Sequence, residues 1–150
     1  MNDLFAAQPL IVAQLTEQVP GLRLVQGMRE LATLQERPGI TPAAYVLYDG
    51  QEVRMQAEQA QVVDQKWLVV VVIRHVRPTC PEVTRSGTGN SERQEAGPLL
   101  LHVCRALLGW RPGPEYGALS LLNAPNPSFR DGFGLYSLRF MTRTVIQPEH

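Results

Sequence analysis

Few side chains in this sequence have the type and spacing to make or break bonds. His75, Cys80, His102 and Cys104 supply the nitrogen and sulfur donors from which zinc sites are built. His102 and Cys104 stand two apart in a helix-forming stretch, so they point about 200° away from each other and cannot share a metal there. The spacing predicts a core Cys104 and a surface His102. A Cys80–His75 pair would be a nucleophile beside its base. Pro78 and Pro81 dictate the path around Cys80, however, and a bystander thiol is the better reading. No Gly-x-Ser-x-Gly elbow occurs. Ser86-Gly-Thr-Gly-Asn90 precedes a helix, the right place to bind an anion, but lacks the Gly-Lys-Ser/Thr ending of a phosphate loop and has no lysine nearby. Neither Asp49 with Glu52 nor Glu115 with Asp131 forms a convincing acid–base pair. Arg74, Arg77, Arg85 and Arg93 are punctuated only by Glu82 and Glu92. That loop suits an acidic protein surface or nucleic acid, with protein ahead because stacking aromatics are absent there. It is equally compatible with a solvated loop of scattered charge. No catalytic residue, metal ligand or cofactor site is assigned.

Composition narrows the class. The chain has 150 residues, 44% hydrophobic and 19% charged, with 14 basic and 14 acidic side chains. That is enough apolar material for one domain with its own core. A net charge of +0 argues against a protein held to nucleic acid mainly by net charge. Two cysteines cannot make a disulfide framework, and free thiols in a reducing compartment are the plainer reading. The N-terminus lacks the pattern of a signal peptide. The longest strongly apolar run, Trp67 to Ile73, has seven residues, where a membrane-spanning helix needs about 20. A soluble, intracellular protein without a membrane partner is expected.

The elements follow from periodicity and punctuation. Asp3 to Gln18 reads as a helix, kinked at Pro9 or properly beginning there, with Leu4, Ile11 and Leu15 near one face. Leu22 to Val25 reads as a short strand, and Arg29 to Arg37 as a helix stopped by Pro38-Gly39. Ala43 to Tyr48 reads as a strand ended by an Asp49-Gly50 turn, followed by a polar stretch over 51–61 that extends a strand or forms a loop. Val62 to Val76 is the clearest strand. Its unbroken apolar centre demands cover on both faces and hence a central place in the sheet. A long polar loop occupies about 77–93, then a helix over roughly Ser91 to Gly109 buries Leu99, Leu100, Val103, Cys104 and Leu107. Ala118 to Leu122 is a short strand, and Ala124 to Asp131 a turn-rich connection. Phe133 to Ile146 alternates as a strand covered on one face. The expected fold is one α+β domain over 1–150, two principal helices on a mostly antiparallel sheet of four or five strands.

In this order the elements resemble the tail terminator, or tail-completion, proteins of long-tailed bacteriophages. The similar features are the N-terminal helix, the Thr41-Pro-Ala-Ala-Tyr-Val46 strand and the Trp67-to-Arg74 strand with its valines. The Ala96-Gly-Pro-Leu-Leu-Leu101 helix follows, closing with Leu107-Leu-Gly-Trp110-Arg-Pro112, and the Tyr136-Ser-Leu-Arg-Phe140 strand completes the set. These motifs are structural and span almost the whole chain. Pro98 inside the predicted helix and the length of the 77–93 loop depart from the pattern.

The resemblance implies a small protein that forms a ring, usually a hexamer. The ring caps the finished tail tube, stops its polymerisation and offers a surface for joining the head. Its implied partners are copies of itself, the tail tube protein, a head–tail connector protein, and DNA passing through the lumen without sequence-specific binding. Its implied locations are the tail–neck region of the virion and, during assembly, the host cytoplasm. It implies no cofactor and no catalytic residues. Arg74, Arg77, Arg85 and Arg93 become candidate partner contacts. Trp110, Tyr116 and Phe129, in Pro/Gly-rich loops, are either aromatic anchors for neighbouring subunits or local packing for those loops. The alternatives are another neck or head–tail connector protein and, behind it, a small enzyme using Cys80 and His75.

Overall fold

The computed structural model of the chain describes residues 3–29, 39–75 and 88–149, with 88–95 as backbone only. Helix α1 spans Ala7–Gln18, beginning late enough to place Pro9 in its first turn, where a missing N–H costs no helical hydrogen bond. Ahead of it, Asp3 Oδ1 accepts a hydrogen bond from the Phe5 N–H at 2.9 Å and shapes the entering turn. Helix α2 spans Thr88–Leu107 and continues through Pro98. The 88–93 part of the expected loop is therefore helical. Gly109, at φ +77°, follows the last turn with the left-handed conformation that glycine adopts without strain.

Among the described residues six strands form one sheet: β1 Leu24–Gly27, β2 Ala43–Ala57, β3 Ala60–Arg74, β4 Ser120–Leu122, β5 Ser128–Arg130 and β6 Phe133–Ile146. Their order is β1-β2-β3-β6-β4, with β5 also pairing β6. Only β1 with β2 is parallel. The α+β class thus holds, with a strand count slightly above that expected. The run Trp67 to Ile73 lies in the central strand and is buried throughout, as its lack of alternation requires.

The two faces of the sheet differ. One meets both helices: Trp67, Val69, Val71 and Ile73 of β3 and Phe140 of β6 pack with Ile11, Leu15, Val103 and Leu107. The other carries a second apolar cluster of Ala43, Tyr45, Leu47, Leu68, Val70 and Val72, with Leu24, Met28, Phe133 and Leu135 against it. Gln8 of α1 ties the helix to the sheet, its Nε2 donating to the Val46 carbonyl at 2.8 Å.

Two expectations need correction. Asp49-Gly50 is not a hairpin turn. Strand β2 runs through it, and a register shift between Tyr48 and Gln51 marks a bulge with Gly50 at φ +93°. The chain reverses instead at Glu58-Gln59, between the paired Ala57 and Ala60. The connection over 124–131 contains the strand β5. It joins β6 through Asp131-Gly132, both at positive φ (50° and 82°), the backbone of a two-residue hairpin turn. The expected helix over 29–37 falls, apart from Arg29, outside the described residues.

Candidate functional site

The β2–β3 hairpin runs well past strand β1, with β6 beside it as far as Gln61. Strand β1 pairs with β2 only from Ala43 to Val46, yet β2 continues to Ala57. Side chains 51–59 are all exposed. This distal part of the hairpin is an arm bearing large apolar side chains in water: Val53, and Met55 at 63% exposure. Met55, Val62 of β3 and Val145 of β6 are register partners in one row across three strands. Met55 and Val145 are exposed and Val62 is half-buried, which makes the row a candidate contact surface. Its sequence signal was slight, two apolar residues at strand spacing inside a polar stretch.

Beside this row lies an ion-pair network. Asp64, with a side chain only 1% exposed, accepts from Arg143 Nε at 2.7 Å, Arg143 Nη2 at 3.1 Å and Arg54 Nε at 2.7 Å. The hydrogen bond from Arg143 holds the Asp64 carboxyl below the usual carboxylate range, against the opposing effect of burial. Lys66 Nζ donates to Glu52 Oε1 at 2.8 Å and lowers that carboxyl in turn. Arg139 pairs with Asp49, so the bulge that displaces the expected turn is also anchored to β6. Periodicity did not reveal this network, because cross-strand pairs depend on register.

On the opposite margin the candidate aromatics have different placements. Tyr116 is 3% exposed and packs in the core beside α1, with an isolated bridge to Thr144. Burial, and then the nearby charges of Glu115 and Asp3, push its phenol up. Trp110 is partly buried against the same core, and its backbone pairs with Leu119 at 2.8 Å. Phe129, on β5, is 57% exposed and stacks edge-on against Tyr136. Leu121 on β4 is also exposed. Arg74 is exposed at the end of β3. Arg77 and Arg85 lie outside the described residues, and Arg93 is described only as helical backbone. Among the described residues, Trp110, Tyr116, Phe129 and Arg74 do not converge on one site.

The described groups considered for chemistry stand in different parts of the fold. His75 is buried, its Nε2 2.9 Å from the Tyr136 hydroxyl, while Cys80 lies outside the described residues. Cys104 packs partly buried against the core, which pushes its thiol up, and His102 is exposed on the other side of α2. Among the described residues no group of three or more His, Cys, Asp or Glu is placed to hold a metal ion, and no helix is long and apolar enough to cross a membrane.

Residues 1–149 match the family model described as "Phage tail terminator protein". No curated protein matches the chain.

Proposed function

The chain belongs to the phage tail terminator family, and on that premise we propose that it forms a ring, hexameric as is usual for such proteins, that caps the tail tube. A structural role in the phage tail follows from membership itself, which also points away from enzymatic activity. The observation that carries the finer reading is the extent of the match, which takes in every described helix and strand.

The mechanism is occlusion. Subunits that stack without end do so because the upper face of each layer matches the lower face of the next. A terminator binds the growing end with one face and presents a different face upward, so the next tube layer finds no complement. That upper face then receives a head–tail connector protein, and DNA slides through the lumen without sequence-specific contacts. The balanced charge of the chain suits a passage that must not hold DNA. The protein is then a virion component of the tail–neck region, assembled in the host cytoplasm and folded as one domain.

In this reading the 77–93 segment faces the tube or the lumen, and its arginines, with Arg74, meet a partner's acidic surface. Trp110, Tyr116 and Phe129 hold or contribute to subunit contacts from the opposite margin. Charge reversal at Arg85 and Arg93 is expected to weaken tail binding, and unchanged binding removes that role for the segment.

Native mass and negative-stain images across a concentration series, with and without purified tail tubes, test the ring. Closed rings, or monomers that close into rings on the tubes, are expected. A strict monomer that ignores tail tubes overturns the proposal.

A further inference from the structure

We propose that one buried water molecule is bound between the sheet and the turn that leads into α1. It is held by Trp67 Nε1, Gln65 Oε1 and Thr142 Oγ1, and it fixes the side chain by which the sheet grips that turn. The site is independent of the ring reading.

The helix-side face of the sheet changes character along its length. At one end Trp67, Val69 and Val71 are apolar and pack with the helices. At the other end the face is polar yet buried: Gln65 and Thr142 are 0% exposed and Thr144 is 2% exposed. Gln65 is two residues from Trp67 on β3 and so shares its face. Its register partner is Thr142, and Val63 faces Thr144. Here the cover is the turn ahead of α1 and residues 115–117 rather than a helix, and their buried carbonyls need donors from elsewhere. Each polar side chain supplies one. Gln65 Nε2 donates to the Leu4 carbonyl at 2.9 Å, Thr142 Oγ1 to that of Gly117 at 2.7 Å and Thr144 Oγ1 to that of Glu115 at 3.0 Å.

Two buried atoms are left over. Neither Gln65 Oε1 nor Trp67 Nε1 has a hydrogen-bond partner in the protein. One is an acceptor and the other a donor. The amide orientation is fixed, because a flipped Gln65 would set its oxygen against the Leu4 carbonyl, acceptor against acceptor. The two side chains also reach the same turn. Gln65 bonds Leu4, while Trp67 packs edge-on with Tyr48 and Tyr48 edge-on with Phe5, at ring centroid distances of 5.4 and 4.9 Å.

Water is the ligand this pair selects. Strand geometry sets the two residues about 6.7 Å apart along β3. A water that accepts from the indole and donates to the amide oxygen, with bonds of about 2.9 Å, spans groups up to about 5.5 Å apart. Thr142 provides the third contact. It faces Gln65 across the ladder, and its hydroxyl gives its one proton to Gly117 and keeps a lone pair for the water's second proton. Three hydrogen bonds is the usual number for a buried water. An indole N–H aimed at the Tyr48 ring would answer the donor alone and leave Gln65 Oε1 unpaired, at the full cost of its lost hydration.

A crystal structure of the whole chain, at a resolution that shows ordered waters, is the direct test. One water within about 2.7–3.2 Å of both Gln65 Oε1 and Trp67 Nε1 is expected. In solution the Trp67 indole N–H is expected to show a nuclear Overhauser cross-peak to water, assigned by its loss in Trp67→Phe. That cross-peak is expected to survive in Thr142→Val, which lacks the hydroxyl that could relay it. No water between the two atoms, a separate water on each, or an indole N–H seated on the Tyr48 ring overturns the site. So does a cross-peak that disappears in Thr142→Val.

Discussion

Asp64 and Arg143 face each other as register partners on β3 and β6, joined by two hydrogen bonds of 2.7 and 3.1 Å, with the carboxylate buried and the guanidinium half exposed. This asymmetry decides what each residue contributes. The buried anion has lost its water and relies on two arginines. Each arginine keeps water as a second partner. Removing an arginine therefore strands a buried charge, while removing the aspartate frees two cations that solvent can accommodate. Arg143→Ala is accordingly expected to destabilise the fold more than Arg54→Ala, because Arg143 makes two of the three hydrogen bonds. Urea unfolding of the two variants under the same conditions checks the order.

The same carboxylate gives stability a pH dependence. Its pKa in the folded state lies below the ordinary value of about 3.9, so the unfolded chain binds the proton more readily. The stabilisation is fully present above about pH 5 and is lost as the pH falls below about 4 through the folded value. Asp64→Asn is expected to cost about 1–3 kcal/mol at neutral pH and progressively less in acid. Equal losses at pH 7 and at pH 3 would show that the carboxylate charge contributes nothing.

Two glycines separate packing from propensity. A Cβ on Gly134 would sit 2.7 Å from His75 Nε2 and 2.8 Å from Tyr136 Cε2, on buried rings with little room to move. Gly134→Ala is expected to cost about 1–3 kcal/mol as an overpacked core. Gly97 lies on the exposed side of α2, where a Cβ would meet nothing within 4 Å beyond its own chain neighbours and helix backbone. There the about 0.5–1 kcal/mol of helix propensity that Gly→Ala adds is opposed by crowding of the new Cβ against the ring of Pro98, which follows it in the helix, so the net change is expected to be small. Thermal unfolding should show a clear loss for Gly134→Ala and little change for Gly97→Ala.

How legible each element was depended on whether its signal was local. Strand β6 alternates cleanly because one face is covered, and its limits, Phe133 and Ile146, are those the sequence predicts. The seven-residue apolar run of β3 foretold a central strand for the same reason, burial on two faces. Residues 51–57 are exposed all round, so burial imposed no period on them, and their pairing with 60–65 is a long hairpin that only register reveals. The strand β5 is three residues long and exposed, too short for any periodic signal. The ion pairs of Asp64 stayed hidden because residues 54, 64 and 143 meet only through the sheet. The contact candidates among the arginines rested on charge alone, which carries no address in the fold.

The two Asp-Gly pairs give the last prediction. Asp-Gly tolerates positive φ, and both a tight hairpin turn and a bulge require it, so the dipeptide alone does not say which will form. At Asp131-Gly132 both residues take positive φ and the chain reverses. At Asp49-Gly50 only Gly50 does, the strand continues, and Asp49 is held by Arg139. A Cβ on Gly50 would meet nothing within 4 Å, so the cost of Gly50→Ala is conformational rather than steric crowding by neighbours. At φ +93° that cost is about 1–3 kcal/mol. The chain has a cheaper response, which is to remove the bulge and shift the register of β2 beyond Tyr48. A shift by one residue exchanges the faces of Val53 and Met55 and takes Met55 out of the candidate contact row. Gly50→Ala is therefore expected both to lower the unfolding midpoint and to weaken assembly, whereas Gly97→Ala leaves assembly unchanged. If Gly50→Ala loses stability but assembles at the wild-type concentration, the bulge stabilises the hairpin without aiming the arm.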